Sequence, residues 1–114
     1  MDELKFKLWL QNNSADNTSR TTIARCIRVE KELGVDLDKQ FDIDQGKRII
    51  QCLKYSRKDE RENINPLCGI SFAYGANVYA GMHSLRAAVK KYFDYRAYSK
   101  KELNNYSIKD EKNE

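Results

Sequence analysis

The sequence predicts an all-α fold, a compact four-helix bundle, with a short hairpin or an ordered loop before the last helix. Three observations lead to this prediction. Apolar residues recur at helical spacing in several segments. The 114 residues include only five glycines and one proline, too few turn residues for an all-β chain. Apolar residues make up 40% and charged residues 33%, which is typical of one folded domain. We expect this domain over residues 1–98, followed by a frayed or disordered charged tail over 99–114.

The first two helices are predicted near the amino terminus. Residues 4–10 alternate like a strand, but they contain no β-branched residue and are rich in good helix formers, which favours a helix. The second helix is expected over residues 19–33, with Thr18 or Ser19 as its N-cap and Gly34 ending it. One side of this helix collects the apolar residues Ile23, Cys26, Ile27, Val29 and Leu33.

The middle of the chain predicts one helix between two connecting segments. Residues 35–41 read as a connector whose apolar side chains pack on the core. Asp42 and Gln45 have capping-box spacing, which predicts a third helix from Ile43 to about Tyr55. Residues 56–66 are highly charged and predict a loop.

The last helix is predicted from Val78 to Arg96, after the segment 67–78 in which a hairpin or an ordered loop is expected. On a helical projection its core side collects Val78, Met82, Leu85, Ala88, Val89, Tyr92 and Phe93. The other side is cationic. Between Tyr79 and Lys101 there are six lysines and arginines and one aspartate, so this helix carries the positive excess of a chain whose net charge is +4.

A localised positive strip can release counterions from a phosphate backbone, which favours a DNA-binding function. The candidate DNA-binding residues lie on the outer faces of the second and last helices: Arg20, Thr21, Arg25 and Arg28 on the former, and His83, Arg86, Lys90 and Lys91 on the latter. The competing interpretation is an ordinary solvated helix face, and Glu30 and Glu32 dilute the first strip.

No catalytic constellation is recognisable. The single histidine, His83, lies among basic residues rather than beside an orienting acid, and the glycines form neither a phosphate loop nor a dinucleotide fingerprint. The three cysteines are widely separated without a C-x-x-C pair, so we expect small buried apolar residues rather than a metal site. The prediction is therefore no enzyme activity for this chain alone, no catalytic residue, no metal and no cofactor.

The sequence contains no apolar run long enough to span a membrane, and its opening segment lacks the apolar core of a signal peptide. We therefore expect a cytoplasmic protein without a membrane partner.

Several short motifs together resemble a known family. They are Phe6-x-x-Trp9-Leu10, the Ser/Thr-rich helix start over residues 18–23, the helix end Leu33-Gly34, the Asp-capped third helix, and the segment from Leu85 to Phe93. This order is similar to the N-terminal SAM-like, or core-binding, domain of phage integrases and other tyrosine recombinases. The likeness covers roughly residues 3–96.

The resemblance implies a four-helix bundle that clamps one side of duplex DNA with its second and fourth helices. Arg20, Thr21, Arg25 and Arg28 would belong to one contacting helix, and His83, Arg86 and Lys90 to the other. The chain departs from the family pattern by having Arg25-Cys26 where an aromatic residue is common, and by a longer segment over residues 56–78. The catalytic domain of the recombinases is absent, so recombination is not expected of this chain itself.

The functional prediction is sequence-dependent or non-specific binding of duplex DNA by a non-catalytic helical module, which could act beside a catalytic domain or another protein partner. The alternative is a protein-interaction module of a small mobile-element or phage-related protein that docks on a partner or dimerises. Exposure of the segment from Ile70 to Tyr74 would favour this alternative, because uncovered apolar side chains mark interfaces.

Overall fold

A computed structural model describes residues 1–13 and 19–112, with side chains described through residue 102. Within these ranges the chain forms helices and no strand, which confirms the all-α class. The helices are α1 Glu3–Asn13, α2 Ser19–Leu33, α3 Leu37–Asp44, α4 Lys47–Cys52, α5 Arg57–Arg61 and α6 Val78–Lys112. Six helices thus occur where four were predicted, and the four-helix, SAM-like arrangement stays an expectation from the resemblance.

The centre of the fold is the contact between α2 and α6. The thiol of Cys26 in α2 donates to the carbonyl oxygen of Ala88 in α6 at 3.4 Å, and both residues are buried. Burial raises the pKa of the Cys26 thiol to about 12, so it acts as a small core residue. The predicted end of α2 is confirmed, because Gly34 has a φ of +62° and the N–H of Val35 reaches back to the Glu30 carbonyl at 3.1 Å. The N-cap candidate Thr18 lies outside the described residues.

α1 packs on α6 through aromatic rings, which confirms a helix near residues 4–10. The ring of Phe6 meets that of Tyr92 edge to face, with centroids 4.9 Å apart, and Trp9 is partly buried against the core. Leu4 and Leu8 are exposed on the far side of α1. The alternating pattern that resembled a strand therefore arose from two buried and two exposed residues of one helix.

The connector predicted over residues 35–41 is wrong, because α3 begins at Leu37. The carboxylate of Asp36 accepts the N–H of Asp38 at 2.9 Å and so caps the new helix. Leu37 and Phe41 are four residues apart and both are buried, which places one side of α3 on the core, as expected of these two side chains.

The predicted single third helix is also wrong, because the chain breaks between α3 and α4. Gln45 and Gly46 have φ values of +62° and +80°, in the left-handed region. The carboxylate of Asp44 then accepts the N–H groups of Gly46 and Arg48, each at 3.0 Å, and starts α4. Ile43, expected to be the first core residue of that helix, is 74% exposed. Asp42 and Gln45 have the spacing of a capping box, but they lie at the end of α3 rather than at the start of a helix.

The charged segment after α4 contains a short helix, which corrects the prediction of a loop over residues 56–66. Ser56 and Asp59 form a reciprocal capping box: the Ser56 hydroxyl accepts the Asp59 N–H at 3.0 Å, and the Asp59 carboxylate accepts the Ser56 N–H at 2.9 Å. The spacing that was inferred for a capping box at Asp42 therefore occurs fourteen residues later, with serine and aspartate in place of aspartate and glutamine.

The segment before α6 is an ordered loop and not a hairpin, since residues 62–77 contain turns and no strand. Ile70 is 2% exposed and Phe72 is half-buried against Gly81, whereas Tyr74 is fully exposed. The loop therefore packs its middle on the core and leaves its tip in solvent.

α6 is longer than predicted. It starts at Val78, as expected, but its backbone continues past Arg96 to Lys112, through most of the segment in which a frayed or disordered tail was predicted. Of the expected core residues, Val78 is only partly buried, and the others are buried: Met82, Leu85, Ala88, Val89, Tyr92 and Phe93. In the described part of the chain no helix is both long enough and apolar enough to cross a membrane.

An acidic group ties α3 to the middle of α6. The carboxylate of Asp38 accepts hydrogen bonds from the Tyr92 hydroxyl and the Arg96 guanidinium, and it lies 3.0 Å from the amino group of Met1. Burial alone would raise the pKa of Asp38. The hydrogen bonds from these three donors outweigh burial, so the pKa lies below its ordinary value.

Candidate nucleic-acid interface

The outer face of α6 carries three of the predicted residues side by side. His83, Arg86 and Lys90 follow each other at intervals of three and four residues, which places them on one side of the helix. His83 and Lys90 are exposed, and Arg86 is half-buried. The rise from His83 to Lys90 is about 10 Å, at about 1.5 Å per residue.

α4 adds two lysines that the sequence reasoning did not select. Lys47 begins α4 and Lys54 follows its end, two helical turns later, and both are exposed. Together with Arg86 and Lys90 they line a depression between α4 and α6, with a volume of about 490 Å³. We call it the α4–α6 cleft. Its remaining lining residues are Gln45, Ile50, Gln51, Phe93 and Asp94.

The cleft is electrostatically unbalanced. Four cationic side chains face one carboxylate, that of Asp94, and none of the four forms an ion pair within 4.0 Å among the residues that the structure describes. Since unpaired positive charges focus the field in a depression, an anion is attracted to this part of the surface.

Arg86 has an unsatisfied donor. Its Nε atom is buried and, among the described residues, it has no hydrogen-bond partner. A buried donor without a partner costs about 1–3 kcal/mol, and more for a charged group. Because Nε is shielded from solvent, an anion in the cleft would meet it only after the guanidinium turns, and Arg86 is the candidate anion contact of the cleft that gains a hydrogen bond by such a turn.

A second, smaller depression adjoins the cleft and shares Arg86 and Lys54 with it. Its volume is about 230 Å³, and its remaining lining residues are Leu53, Tyr55, Ser56, Asp59 and His83. We call it the His83 pocket. The imidazole of His83 lies at 22° to the ring of Tyr79 with centroids 5.8 Å apart, and the guanidinium carbon of Arg57 lies 4.1 Å from the centre of the Tyr79 ring.

The predicted residues of α2 lie elsewhere. Arg20, Thr21 and Arg25 are exposed on α2, and no residue of α2 lines the cleft or the pocket. Arg28 is held by its own chain: Nε donates to the Glu32 carboxylate and Nη2 to the carbonyl oxygen of Ser71, each at 2.8 Å. Its guanidinium also lies 4.8 Å from the centre of the Phe72 ring. Arg28 therefore anchors the loop before α6.

The two predicted groups do not converge on one surface, which corrects the expected clamp. α2 packs on the side of α6 that carries Ala88. Arg86 and Lys90 stand two residues before and after Ala88, so each lies about 160° around the helix from it, at about 100° per residue. The last predicted residue, Lys91, lies about 140° around α6 from Arg86 by the same spacing, outside the cleft.

A sequence signal for the missed lysines did exist. Lys47 and Lys54 are seven residues apart and flank the buried positions Ile49 and Leu53, a pattern typical of the polar edge of an amphipathic helix. This spacing does not show that the edge lies beside Arg86 and Lys90, because α4 and α6 meet only through the fold. No sequence signal relates Arg57 to Tyr79, since they meet only through the fold.

Comparison of the chain with models of protein families, with curated proteins and with solved structures finds no match. The likeness to the recombinase core-binding domain therefore rests on the sequence motifs alone.

Proposed function

We propose that this protein binds duplex DNA through the α4–α6 cleft, without catalysing a reaction by itself. The observation that carries the proposal is a set of four cations from α6, α4 and the segment just after α4, which surround one depression and have no ion-pair partner among the described residues, with the Arg86 Nε likewise without a partner there. Phosphate oxygens supply the negative charge and the hydrogen-bond acceptors that this arrangement lacks.

The size of the surface suits a short stretch of backbone. The cationic strip of α6 spans about 10 Å, which corresponds to about three nucleotide steps at 3.4 Å per step along one strand. If each of the four cations neutralises one phosphate, log K should fall with log [salt] with a slope of about −3.6. That slope describes a small, strongly salt-dependent interface.

The chemistry of the cleft favours non-specific binding over sequence reading. Three of its four cations, Lys47, Lys54 and Lys90, are lysines, which contact phosphates as point charges and carry no base information. Arg86 supplies the only guanidinium among the described residues that line the cleft. We therefore propose a surface that contacts DNA phosphates, rather than a recognition helix that reads the bases.

The alternative of a protein-interaction module is less well supported. It depended on an exposed apolar segment from Ile70 to Tyr74, but Ile70 is buried and Phe72 packs against Gly81 and Arg28. A single exposed Tyr74 at the tip of the loop does not make an apolar patch.

The test is a fluorescence anisotropy titration on a mixed-sequence duplex at several salt concentrations. Exchanging Lys47, Lys54 and Lys90 for alanine should reduce the salt slope by about 2.7, at about 0.9 per lost phosphate contact. These exposed lysines are preferred over Arg86, because truncating a half-buried arginine also removes packing. The control exchanges the exposed lysines Lys7, Lys31 and Lys39, which changes the net charge equally.

The proposal requires the first triple variant to lose more slope than the control. Equal losses would show that diffuse charge, and not the cleft, binds DNA. A third variant with Arg20 and Arg25 exchanged for alanine tests the exposed face of α2. If the salt slope falls in this α2 variant but is unchanged in the variant of the three cleft lysines, the interface lies on α2 and the proposal is overturned.

A further inference from the structure

The His83 pocket has the components of a site for one flat, polar ring. His83 offers an exposed imidazole, and Tyr55 contributes a second ring whose hydroxyl is fixed by donating to the Ile64 carbonyl at 2.7 Å. Lys54 and Arg86 supply positive charge where the pocket joins the α4–α6 cleft. Rings and cations therefore lie next to each other, as a base and its phosphate do in a nucleotide.

The imidazole of His83 is oriented by its contact with the neighbouring ring of Tyr79. Tyr79 lies nearly parallel to His83, and Arg57 covers the Tyr79 ring. Tyr79 thus already contacts His83 and Arg57. Of the two stacked rings, that of His83 is exposed and that of Tyr79 is half-buried. Histidine rings stack with nucleobases as other aromatic side chains do, and a ring that is already oriented loses less conformational entropy on binding.

The pocket also contains a hydrogen-bond acceptor. The carboxylate of Asp59 accepts one hydrogen bond from the Ser56 N–H through Oδ2, as part of the α5 cap. A carboxylate has about four acceptor positions, so others are available for an exocyclic amino group. Adenine and cytosine carry such a group.

We propose that the His83 pocket holds an unpaired nucleobase of the same DNA whose phosphates occupy the α4–α6 cleft, so that the preferred ligand is a duplex with a single-stranded extension. This inference rests on the proposed function. Bases inside a duplex are stacked on both faces and must leave the stack to enter a pocket. A base in a single-stranded extension needs no such step, so its stacking on His83 adds directly to the phosphate contacts.

The experiment compares three fluorescent DNAs by anisotropy: a blunt duplex, the duplex with a one-nucleotide abasic extension, and the duplex with a one-nucleotide adenosine extension. The last two carry the same number of phosphates and differ only in the base. The wild-type protein should bind the adenosine extension about five- to tenfold more tightly than the abasic one, near the low end of base–aromatic stacking.

Two variants of one position separate stacking from charge. H83A should bring the ratio of the two affinities to about one, whereas H83F should keep it, since phenylalanine retains the ring. Equal binding of the two extensions by the wild-type protein, or an unchanged ratio in H83A, overturns the inference while leaving the proposed function in place. Failure of all three DNAs to bind overturns both.

Discussion

The two cationic regions of this protein both follow helical spacing in the sequence, but their arginines have different surroundings in the fold. On α2, Arg28 is bound by Glu32, by the Ser71 carbonyl and by the Phe72 ring. On α6, Arg86 lines a depression with three lysines and its Nε has no partner among the described residues. The first arginine contacts the loop before α6, and the second makes no such contact among the described residues.

The difference teaches that periodicity identifies a polar face but not whether its charges are free. The partner of Arg28 at Ser71 is 43 residues away in the sequence, and it meets the arginine only because the loop folds over α2. Arg86 shares its depression with Lys47 of α4, with Lys54 after it and with Lys90 of α6, and the one carboxylate among the lining residues is that of Asp94. Each of the following predictions tests one side of this contrast.

The largest effect is expected in the core that separates the two regions. Leu85 is 2% exposed on the buried side of α6, next to the cationic Arg86. Leu85→Ala should lower the free energy of unfolding by about 2–4 kcal/mol, because the surrounding side chains do not fully close the cavity. Urea denaturation followed by circular dichroism measures this loss. A change below about 1 kcal/mol would mean that this position is not in a packed core.

The next largest effect is expected at the joint that places α4 beside α6. Gly46 has a φ of +80°, and a Cβ atom there would overlap the Phe93 ring. Gly46→Ala should therefore destabilise by about 2–4 kcal/mol, from backbone strain and overpacking together. Gly34→Ala is a matched control, because Gly34 also has a positive φ but none of the described residues lies within 4 Å of its added Cβ.

The control should lose only the strain, about 1 kcal/mol, by the same denaturation measurement. Equal losses in the two variants would mean that Phe93 moves aside at little cost. In that case the position of Lys47 in the α4–α6 cleft would be less firmly fixed than the contact with Phe93 indicates.

The fold was predictable where a local pattern and the tertiary contacts agree. α2 ends at the predicted glycine and buries Cys26 and Val29 of its predicted apolar side, whereas Ile23, Ile27 and Leu33 are only partly buried, so sequence and structure largely coincide there. The region of α3 and α4 was not predictable in the same way, because Asp36, Asp42 and Asp44 are all chemically able to cap a helix. Which of them does so depends on the burial of Leu37 and Phe41, a tertiary contact.

The candidate site was half predictable. His83, Arg86 and Lys90 could be assigned to one face from their spacing alone. The place of Lys47 and Lys54 in the cleft required the contact between α4 and α6, and the stacking of Tyr79 with Arg57 also required the fold. The engagement of Arg28 could not be foreseen, since its loop contacts have no periodicity. The sequence thus indicates which faces are charged, and the packing decides which charges stay free.

A smaller effect on stability is expected from Arg28, which already donates hydrogen bonds to its own chain. Arg28→Ala should lower the free energy of unfolding by about 1 kcal/mol, since its charged hydrogen bonds are partly exposed to water. The loop from Ser71 to Tyr74 should then be cut more rapidly in limited proteolysis. Arg25→Ala is the matched control on the same helix, and it should change stability by less than about 0.5 kcal/mol. Similar behaviour of the two variants would contradict an anchoring role for Arg28.

The smallest effect is expected at Arg96, which like Arg28 already forms an ion pair within the chain. Its partner Asp38 is partly exposed, so solvent screens the ion pair. The pKa of Asp38 is lowered in the folded state relative to about 3.9 in the unfolded chain. Its contribution is therefore present above pH 4 and is lost as the pH falls through the folded-state value. Thermal unfolding between pH 6 and pH 2.5 should show a weaker acid destabilisation in Asp38→Asn than in the wild type. An unchanged acid dependence would show that the hydrogen bonds from Arg96 and Tyr92 do not stabilise the Asp38 carboxylate. The contrast between arginines with and without partners in the chain would then depend on Arg28 alone.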